Sequence, residues 1–298
     1  MPELPEVETT VRGLRKKVLK RTIFDIWTDT KKMIHLRKGT DGKIKKTGNL
    51  KEFKRETKGR KILKIWRRGK NIVFDLSGRK SLLIHQKMTG HLLHGTWSIE
   101  HGTWKPRKEG PLEEKINTYI HLLFTFEDGQ MLALSDLRKF AKIELWDSNQ
   151  LKKELGSLGP EALDKNLTFE KFKEVLLRAR GKIKQVLMNQ KVIAGIGNIY
   201  SSEILWEAKV SPFKDIKKLR DEEIKEIYKA MGKVLKKAIE LRGTSISDYR
   251  DVEGKKGLFE GSRKTYQKEG GKCPRCRDSI KRKKIANRST FFCPTCQK

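Results

Sequence analysis

The chain has 298 residues, of which 36% are hydrophobic and 36% charged, and 69 Lys and Arg against 37 Asp and Glu give a formal net charge of +32. That length holds two modest cores, and that charge favours a polyanionic partner bound less tightly as salt rises. No stretch approaches the ~20 apolar residues of a membrane span, the start is acidic where a secretory signal is basic, and the four cysteines fall in the last 26 residues, which together predict a soluble intracellular protein without structural disulfides.

The first ten residues, MPELPEVETT, read as a helix start, with proline and carboxylates at the positive end of the helix dipole. Val7, Val11, Leu14 and Val18 then recur at helical spacing. Residues 28–60 are basic and poor in apolar residues, and read as a loop or insertion. Residues 61–88 hold short apolar runs broken at 67–70 and at Ser77-Gly78, the pattern of strands joined by turns. The stretch 94–117, with Pro106 and Pro111, reads as a second, mobile insertion. HLLFTFEDGQMLALSD, 121–136, is a hairpin around Asp128-Gly129, and 140–146 is one more strand. Several strands behind one helix predict a β-sandwich.

From about Gln150 the pattern turns helical. Residues 155–163 are a turn-rich bridge, and 169–187 reads as one helix with Thr168 as its N-cap. A second helix is expected over 199–208, stopped by Ser211-Pro212. The third, 223–241, carries Ile224, Ile227, Tyr228, Met231, Val234, Leu235 and Ile239 as one apolar stripe, with Gly243 as its stop. Between the first two lies QKVIAGIGNIY, whose Gly195 and Gly197 lack the third glycine and the strand-then-helix context of a dinucleotide loop. They read instead as a tight turn between helices. Asn198 opens the next helix, either as a plain N-cap or, with the free N–H groups beside it, as a phosphate ligand.

The last segment pairs Cys273 with Cys276 and Cys293 with Cys296, sixteen residues apart. Two such Cys-x-x-Cys turns aim four thiolates at one tetrahedral zinc, a closed structural site with no position left for substrate. The intervening Lys281, Arg282, Lys283, Lys284 and Arg288 suit phosphate contacts. On chemistry alone this describes a zinc-containing nucleic-acid binder, and ribosomal or translation proteins fit it equally.

MPELPEVET, RRGK, HQKMTG, DLRKFA, SLGPEAL, GIGNIY and the finger ending FFCPTCQK occur in that order along the whole chain. Together they resemble the formamidopyrimidine-DNA glycosylases, which share a superfamily with endonuclease VIII. The resemblance implies an α+β protein of three parts: an N-terminal helix with a β-sandwich over 1–149, a helix–two-turn–helix module over 150–245, and a lesion-covering loop with a four-cysteine zinc finger over 246–298. It implies a monomeric base-excision-repair enzyme of the cytoplasm or nucleoid, acting on double-stranded DNA. Such an enzyme removes oxidised purines (formamidopyrimidines and 8-oxoguanine), flips the lesion nucleotide out of the duplex and then cleaves the abasic site by β,δ-elimination.

The same resemblance assigns roles. Removal of Met1 leaves Pro2 with a secondary amine, which at a pKa of about 8 is far more often neutral than a lysine at about 10.4; its attack on C1′ gives an iminium, an electron sink for strand elimination. Glu3 matches the proton-handling carboxylate and Glu6 a supporting one. Lys70 matches a phosphate-holding lysine that assists elimination, and Arg288 the finger arginine. Met88, Arg138 and Phe140 match the side chains that fill the gap left by the flipped base, with the guanidinium on the orphaned cytosine. Lys184 and Asn198 match phosphate contacts, and Tyr119 stands where a DNA-contacting histidine is usual. The sequence departs from the family at Gln86-Lys87, Leu137 and Ala141. Leu4 argues against an endonuclease VIII-like enzyme for oxidised pyrimidines, whose start reads MPEG. A non-catalytic zinc-ribbon binder is the rival from another class.

Overall fold

A computed structural model describes residues 1–37, 44–246 and 248–298, with the side chains of 44–46 left aside. It divides into two compact units: 1–156 with 242–258, and 157–241 with 259–298.

The first unit opens with α1 (Leu4–Lys17), capped by Glu3 and carrying Pro5 in its first turn. Val7, Val11 and Leu14 on one face are fully buried. At ~1.5–3 kcal/mol each, that stripe holds the helix on the sandwich by at most about 5–9 kcal/mol. The strands follow as β1 (Ile23–Thr28), β2 (Ile34–Arg37) and β3 (Ile44–Thr47), then helix α2 (Leu50–Thr57), then β4 (Ile62–Arg68), β5 (Asn71–Leu76), β6 (Lys80–His85) and β7 (His91–Gly95). A hairpin of β8 (Trp97–Glu100) and β9 (Thr103–Pro106) precedes β10 (Ile120–Phe126), β11 (Met131–Ser135), β12 (Lys142–Asp147) and the helix α3 (Ser148–Gly156).

One sheet runs β1-β10-β11-β7 and the other β3-β2-β12-β6-β5-β4. All neighbours are antiparallel except β12 and β2. Ile26, Leu92, Leu122, Phe124 and Leu134 of the first sheet share a core with Ile34, Ile72, Phe74, Ile84 and Ile143 of the second. This is the expected sandwich.

The two basic segments are not plain loops. The described part of 28–60 contributes β2, β3 and α2, whose Phe53 is fully buried; residues 38–43 lie outside the described residues. In 94–117, Trp97 is buried and Trp104 packs edge-on against Trp27 with ring centroids 5.4 Å apart. The β8–β9 hairpin thereby covers Leu93, Leu123 and Ala133 on the outward face of the four-stranded sheet. Charged residues between the tryptophans mask this in the sequence, because a short hairpin buried on one side needs only two or three apolar anchors.

The segment 242–258 belongs to this unit as well. Val252 joins the sandwich core, its carbonyl accepts from the His94 N–H at 2.8 Å, and Arg250 pairs with Glu114 at 2.6 Å. The resemblance places a lesion-covering loop from residue 246 on; in the described part of 245–258 Ser245, Tyr249, Arg250, Asp251 and Val252 are buried, and residue 247 lies outside the described residues.

The second unit contains α4 (Phe169–Leu177), α5 (Ile183–Met188), α6 (Asn198–Glu207), α7 (Asp221–Glu240) and a hairpin of β13 (Lys281–Ile285) and β14 (Arg288–Phe292). The expected single helix over 169–187 is two helices. Gly181 at φ +102° breaks it, a conformation costly to any residue with a Cβ. Apolar spacing continues through the break, which is why periodicity alone did not show it. On α7, Ile224, Ile227, Met231 and Leu235 are buried as the stripe requires, with Ala230 and Ala238 completing the face, while Val234 and Ile239 stand at its half-buried edge.

Candidate functional site

The amino end of α1 is a cluster of buried charge. Glu3 and Glu6 are both almost fully buried, as is Pro2. Glu6 accepts from the Glu3 N–H at 2.8 Å and from the Thr244 N–H at 2.8 Å. It thereby joins the first turn of the helix to the returning segment 242–258. Gly243, at φ +77°, is required there, because a Cβ would lie 2.7 Å from the Glu6 carboxylate. Tyr249 completes the seam by donating to the Glu6 carbonyl at 3.1 Å, and burial, with Glu6 adding, pushes its phenol pKa up.

The Met1 amino group lies in the same cluster. Burial lowers its pKa from the usual α-amino value; Glu3, Glu6 and Asp248 pull against this and Lys70 adds to it. Lys70, in the turn between β4 and β5, is itself buried. The structure thus brings together Pro2, Glu3, Glu6 and Lys70, residues that the sequence separates by nearly seventy positions.

Met88 and Phe140 stand on two turns of the same unit, 40% and 48% exposed. Exposed apolar side chains of that size are available to a partner rather than to the core. Arg138 lies over the Phe140 ring at 4.6 Å. Both turns contain a non-glycine residue at positive φ, Lys87 at +56° and Lys139 at +55°, and so need local restraint.

Asp136 supplies that restraint. Fully buried, it accepts from the N–H groups of Arg138 at 3.2 Å, Phe140 at 2.8 Å and Ala141 at 2.8 Å, and from the Thr89 hydroxyl. Thr89 also accepts from Arg138 N–H at 3.1 Å, so one carboxylate fixes both turns. Tyr119, half-buried, places its carbonyl 2.9 Å from the Asp136 N–H. On the other side His85 Nδ1 accepts from the Lys87 N–H at 3.0 Å; burial, with Lys87 and Lys70, brings its pKa down to about 3. Gln86 is buried with both amide atoms lacking a protein partner among the described residues.

In the second unit Asn198 occupies the first turn of α6. Its Nδ2 lies 3.4 Å from the Tyr266 hydroxyl, and its buried Oδ1 has no partner among the described residues. A basin of about 710 Å³ opens beside it, lined also by Tyr266, Arg282, Asn287, Arg288 and Ser289. Arg288 is exposed at the tip of the β13–β14 hairpin. Arg282 and Arg288 bring positive charge to this basin, and Glu269, 3.5 Å from Arg282, brings one carboxylate. Lys184 is 1% exposed, its ammonium donating to Ser202 Oγ at 3.0 Å, Thr290 Oγ1 at 3.1 Å and the Ser289 carbonyl at 3.3 Å. It ties α6 to the hairpin that carries Arg288. Glu203, also buried, binds the N–H groups of 264–266 at 2.7–3.0 Å.

Cys273, Cys276, Cys293 and Cys296 place their sulfurs within 4.8 Å of one another, with Cys273–Cys296 at 3.9 Å and Cys276–Cys293 at 3.4 Å. A zinc–sulfur bond of ~2.3 Å gives a tetrahedron edge of about 3.8 Å, so the set fits a structural zinc. The thiols need a cation to ionise together: burial and the other three sulfurs push Cys296 up to about 12. Trp206 Nε1 lies 3.4 Å from Cys273 Sγ, and Arg275 covers its ring at 4.1 Å.

Sequence reasoning missed Asp136, Thr89 and Glu203, which are buried and act through hydrogen bonds within the protein. The only signal was an aspartate just after a strand and ahead of exposed turn residues, the setting of an Asx-turn.

Known proteins give the same picture. Residues 1–143 match the family model described as the formamidopyrimidine-DNA glycosylase N-terminal domain, 158–250 its H2TH domain, and 270–298 a zinc finger found in FPG and IleRS. The formamidopyrimidine-DNA glycosylase of Carboxydothermus hydrogenoformans is 38% identical over 298 residues, 100% of each chain. That of Heliobacterium modesticaldum is 35% identical over 300 residues, again 100% of each. Among solved structures, Lactococcus lactis Fpg in complex with DNA containing an abasic site superposes with a TM-score of 0.83 at 32% identity, over 99% of each chain. The wild-type form of the same enzyme, in complex with DNA containing N7-benzyl-Fapy-dG, superposes with a TM-score of 0.83 at 32% identity, also over 99% of each chain.

Proposed function

We propose, for a chain that belongs to the formamidopyrimidine-DNA glycosylase family, that the cluster at the start of α1 is the reaction centre of a combined DNA glycosylase and abasic-site lyase. The protein is a base-excision-repair glycosylase with a structural zinc finger. The substrate in this reading is double-stranded DNA carrying oxidised purines, bound by a monomer.

The observation that carries the reading is the amino end of the chain, set beside the buried Glu3, Glu6 and Lys70, where burial and Lys70 lower the amine pKa against the pull of the two carboxylates. With Met1 removed, the Pro2 nitrogen becomes the free amine of that cluster, and the neutral form of that amine is the nucleophile. Its lone pair attacks C1′ as the C1′–base bond breaks, the bonding pair leaves on the base, and the base takes up a proton. The nitrogen then gives up its proton and its lone pair expels O4′, which is protonated as the sugar ring opens; the Pro2–C1′ iminium so formed withdraws electrons, and loss of a proton from C2′ expels the 3′ phosphate. Glu3 handles protons at the sugar, Glu6 fixes the helix start, and Lys70 holds a phosphate and assists elimination. Met88, Arg138 and Phe140 fill the vacated stack, while Asn198 and Arg288 hold phosphates at the basin of the second unit. Lys184 contributes by fixing the hairpin that presents Arg288. Tyr119, bonded through its carbonyl to the turn of Asp136, supports the same DNA-facing surface.

Borohydride reduction in the presence of 8-oxoguanine or abasic-site DNA tests this directly. Protein lacking Met1 is expected to become covalently linked to the strand, and protein extended before Pro2 to bind without linking. Absence of an adduct with the processed protein sinks the lyase reading. The zinc carries no step of this chemistry.

A further inference from the structure

The described part of 242–258 folds back on itself. Thr244 bridges to Leu258 in antiparallel register, and the Ser245 hydroxyl accepts from the Gly257 N–H at 2.9 Å while donating to the Tyr249 carbonyl at 2.6 Å. The Asp251 carboxylate closes a further turn by taking the N–H groups of Glu253 and Lys255, both at 3.0 Å. This loop meets α1 at Glu6, through the Thr244 N–H and the Tyr249 hydroxyl. It meets the segment 110–117 through two residues that the chemistry above does not use, Glu114 and Asn117.

Arg250 is buried. Its Nε and Nη2 donate to the two oxygens of Glu114 at 2.7 and 2.6 Å, a fork-on-fork pair, and its Nη1 donates to the Tyr249 carbonyl at 2.7 Å. The bonds from Arg250 hold the Glu114 carboxyl below the usual carboxylate range, so it is charged at neutral pH. A carboxylate from a separate stretch of chain thereby fixes the backbone of the residue whose hydroxyl lies on Glu6. Lys256 adds a looser contact to Glu114 at 3.6 Å.

Asn117 is fully buried and joins three stretches of chain. Its Nδ2 donates to the Pro111 carbonyl at 2.7 Å and to the Gly254 carbonyl at 3.2 Å. That leaves Oδ1 to accept from Nε2 of His91 on β7 at 2.8 Å. Gly254 sits at φ +79°, and a Cβ on it would lie 2.8 Å from Asn117 Nδ2 and 3.0 Å from the Pro111 oxygen. We propose, resting on the glycosylase and lyase reading above, that Glu114 and Asn117 are positioning residues for the reaction at the amino end. They act through Arg250, Tyr249 and Gly254 to keep the Thr244 N–H and the Tyr249 hydroxyl on Glu6. Hydrogen bonds weaken steeply with angle, so Glu6 stays aligned with the Glu3 N–H only while the loop is held. Misplacing a reacting group by about 1 Å costs up to about 100-fold in rate.

The test pairs a rate with an affinity. Single-turnover borohydride trapping on abasic-site DNA uses saturating protein lacking Met1, and Kd is measured on a duplex with a stable abasic-site analogue. Glu114→Ala is expected to slow trapping about tenfold while Kd changes by less than about threefold. Glu114→Gln keeps one acceptor for Arg250 and should recover part of that loss. Lys256→Gln removes only the looser partner of Glu114 and should trap at the parent rate. Gly254→Ala should slow trapping by pushing the loop off Asn117. Trapping at the parent rate in Glu114→Ala overturns the role of Glu114, and the same result in Gly254→Ala overturns that of Asn117. A rate loss matched by an equal loss of affinity overturns both.

Hydrogen exchange at the Thr244 amide, which donates to Glu6 at 2.8 Å, reports the same seam without DNA. Faster exchange there in Glu114→Ala and Gly254→Ala, with the amides of the sandwich strands unchanged, supports the positioning role. Unchanged protection at Thr244 overturns it. If the parent protein forms no adduct, the lyase reading fails, and Thr244 exchange alone then decides whether these two residues hold Glu6.

Discussion

Replacing Asp136 with Asn removes one charge without changing side-chain shape, and the consequence follows from four hydrogen bonds. One carboxylate oxygen takes the N–H groups of Phe140 and Ala141, both at 2.8 Å; the other takes Arg138 N–H and the Thr89 hydroxyl. An amide can present its oxygen to only one of these pairs, so its NH₂ must face donors on the other side. The better rotamer keeps the oxygen on Phe140 and Ala141. It leaves the Arg138 N–H facing an NH₂, with Thr89 turning its hydroxyl to accept from that NH₂. Loss of two charge-assisted bonds at ~1.5–3 kcal/mol each, partly recovered through Thr89, gives about 2–5 kcal/mol. For a unit of this size ~1 kcal/mol shifts Tm by about 2–4 °C, so a fall of roughly 4–20 °C is expected in the transition of the first unit. The turns loosen before the sandwich does, and stopped-flow fluorescence of a base analogue beside the lesion should show slower insertion of Met88 and Phe140. A Tm within about 1 °C of the parent together with an unaltered insertion rate would refute the role given to Asp136.

Gln86→Leu should raise stability by about 1–3 kcal/mol in urea unfolding, because it replaces a buried amide without protein partners by an apolar group of similar size; destabilisation would mean the amide is satisfied by water. Acid should weaken the first unit. The folded pKa values of His85 and His94 are down at about 3 and about 4, chiefly by burial, against about 6.5 unfolded, so between pH 6.5 and 4 the unfolded chain binds more protons. Stability there should fall by up to ~1.4 kcal/mol per pH unit for each, and His94→Gln should remove about one proton's worth of that slope; parallel slopes would contradict the burial of His94. Stripping zinc with a chelator should unfold the finger and shift the emission of Trp206, which lies against Cys273. Trp206→Phe should abolish most of that signal, and an unchanged spectrum with metal lost would separate the finger's fold from its zinc.

The zinc finger was legible in the sequence because two Cys-x-x-Cys turns converge whatever surrounds them. The sandwich strands, the hairpin at Asp128-Gly129 and the α7 stripe were legible for a related reason: period and turn chemistry are local properties. Pro2, Glu3, Lys70 and Met88 took their roles only from their motifs in order. Nothing local distinguishes Lys70 from any other turn lysine.

Four features emerged only on folding. Trp97 and Trp104 turn a basic stretch into a packed hairpin, because burial of a few large rings outweighs a polar composition. Lys184, chosen as a phosphate contact, has its ammonium surrounded by Ser202, Ser289 and Thr290, partners more than a hundred positions away in two cases. Glu6, Gly243 and Tyr249 close the seam behind the amino end, and Asp136 aligns two turns that sequence treats as separate motifs. The chemistry available to this protein is written in its residue types and their short-range spacing, and could be read before any fold was known. Which of those groups are buried and which face one another could not, because hydrogen bonding and desolvation depend on neighbours that only the folded chain brings together.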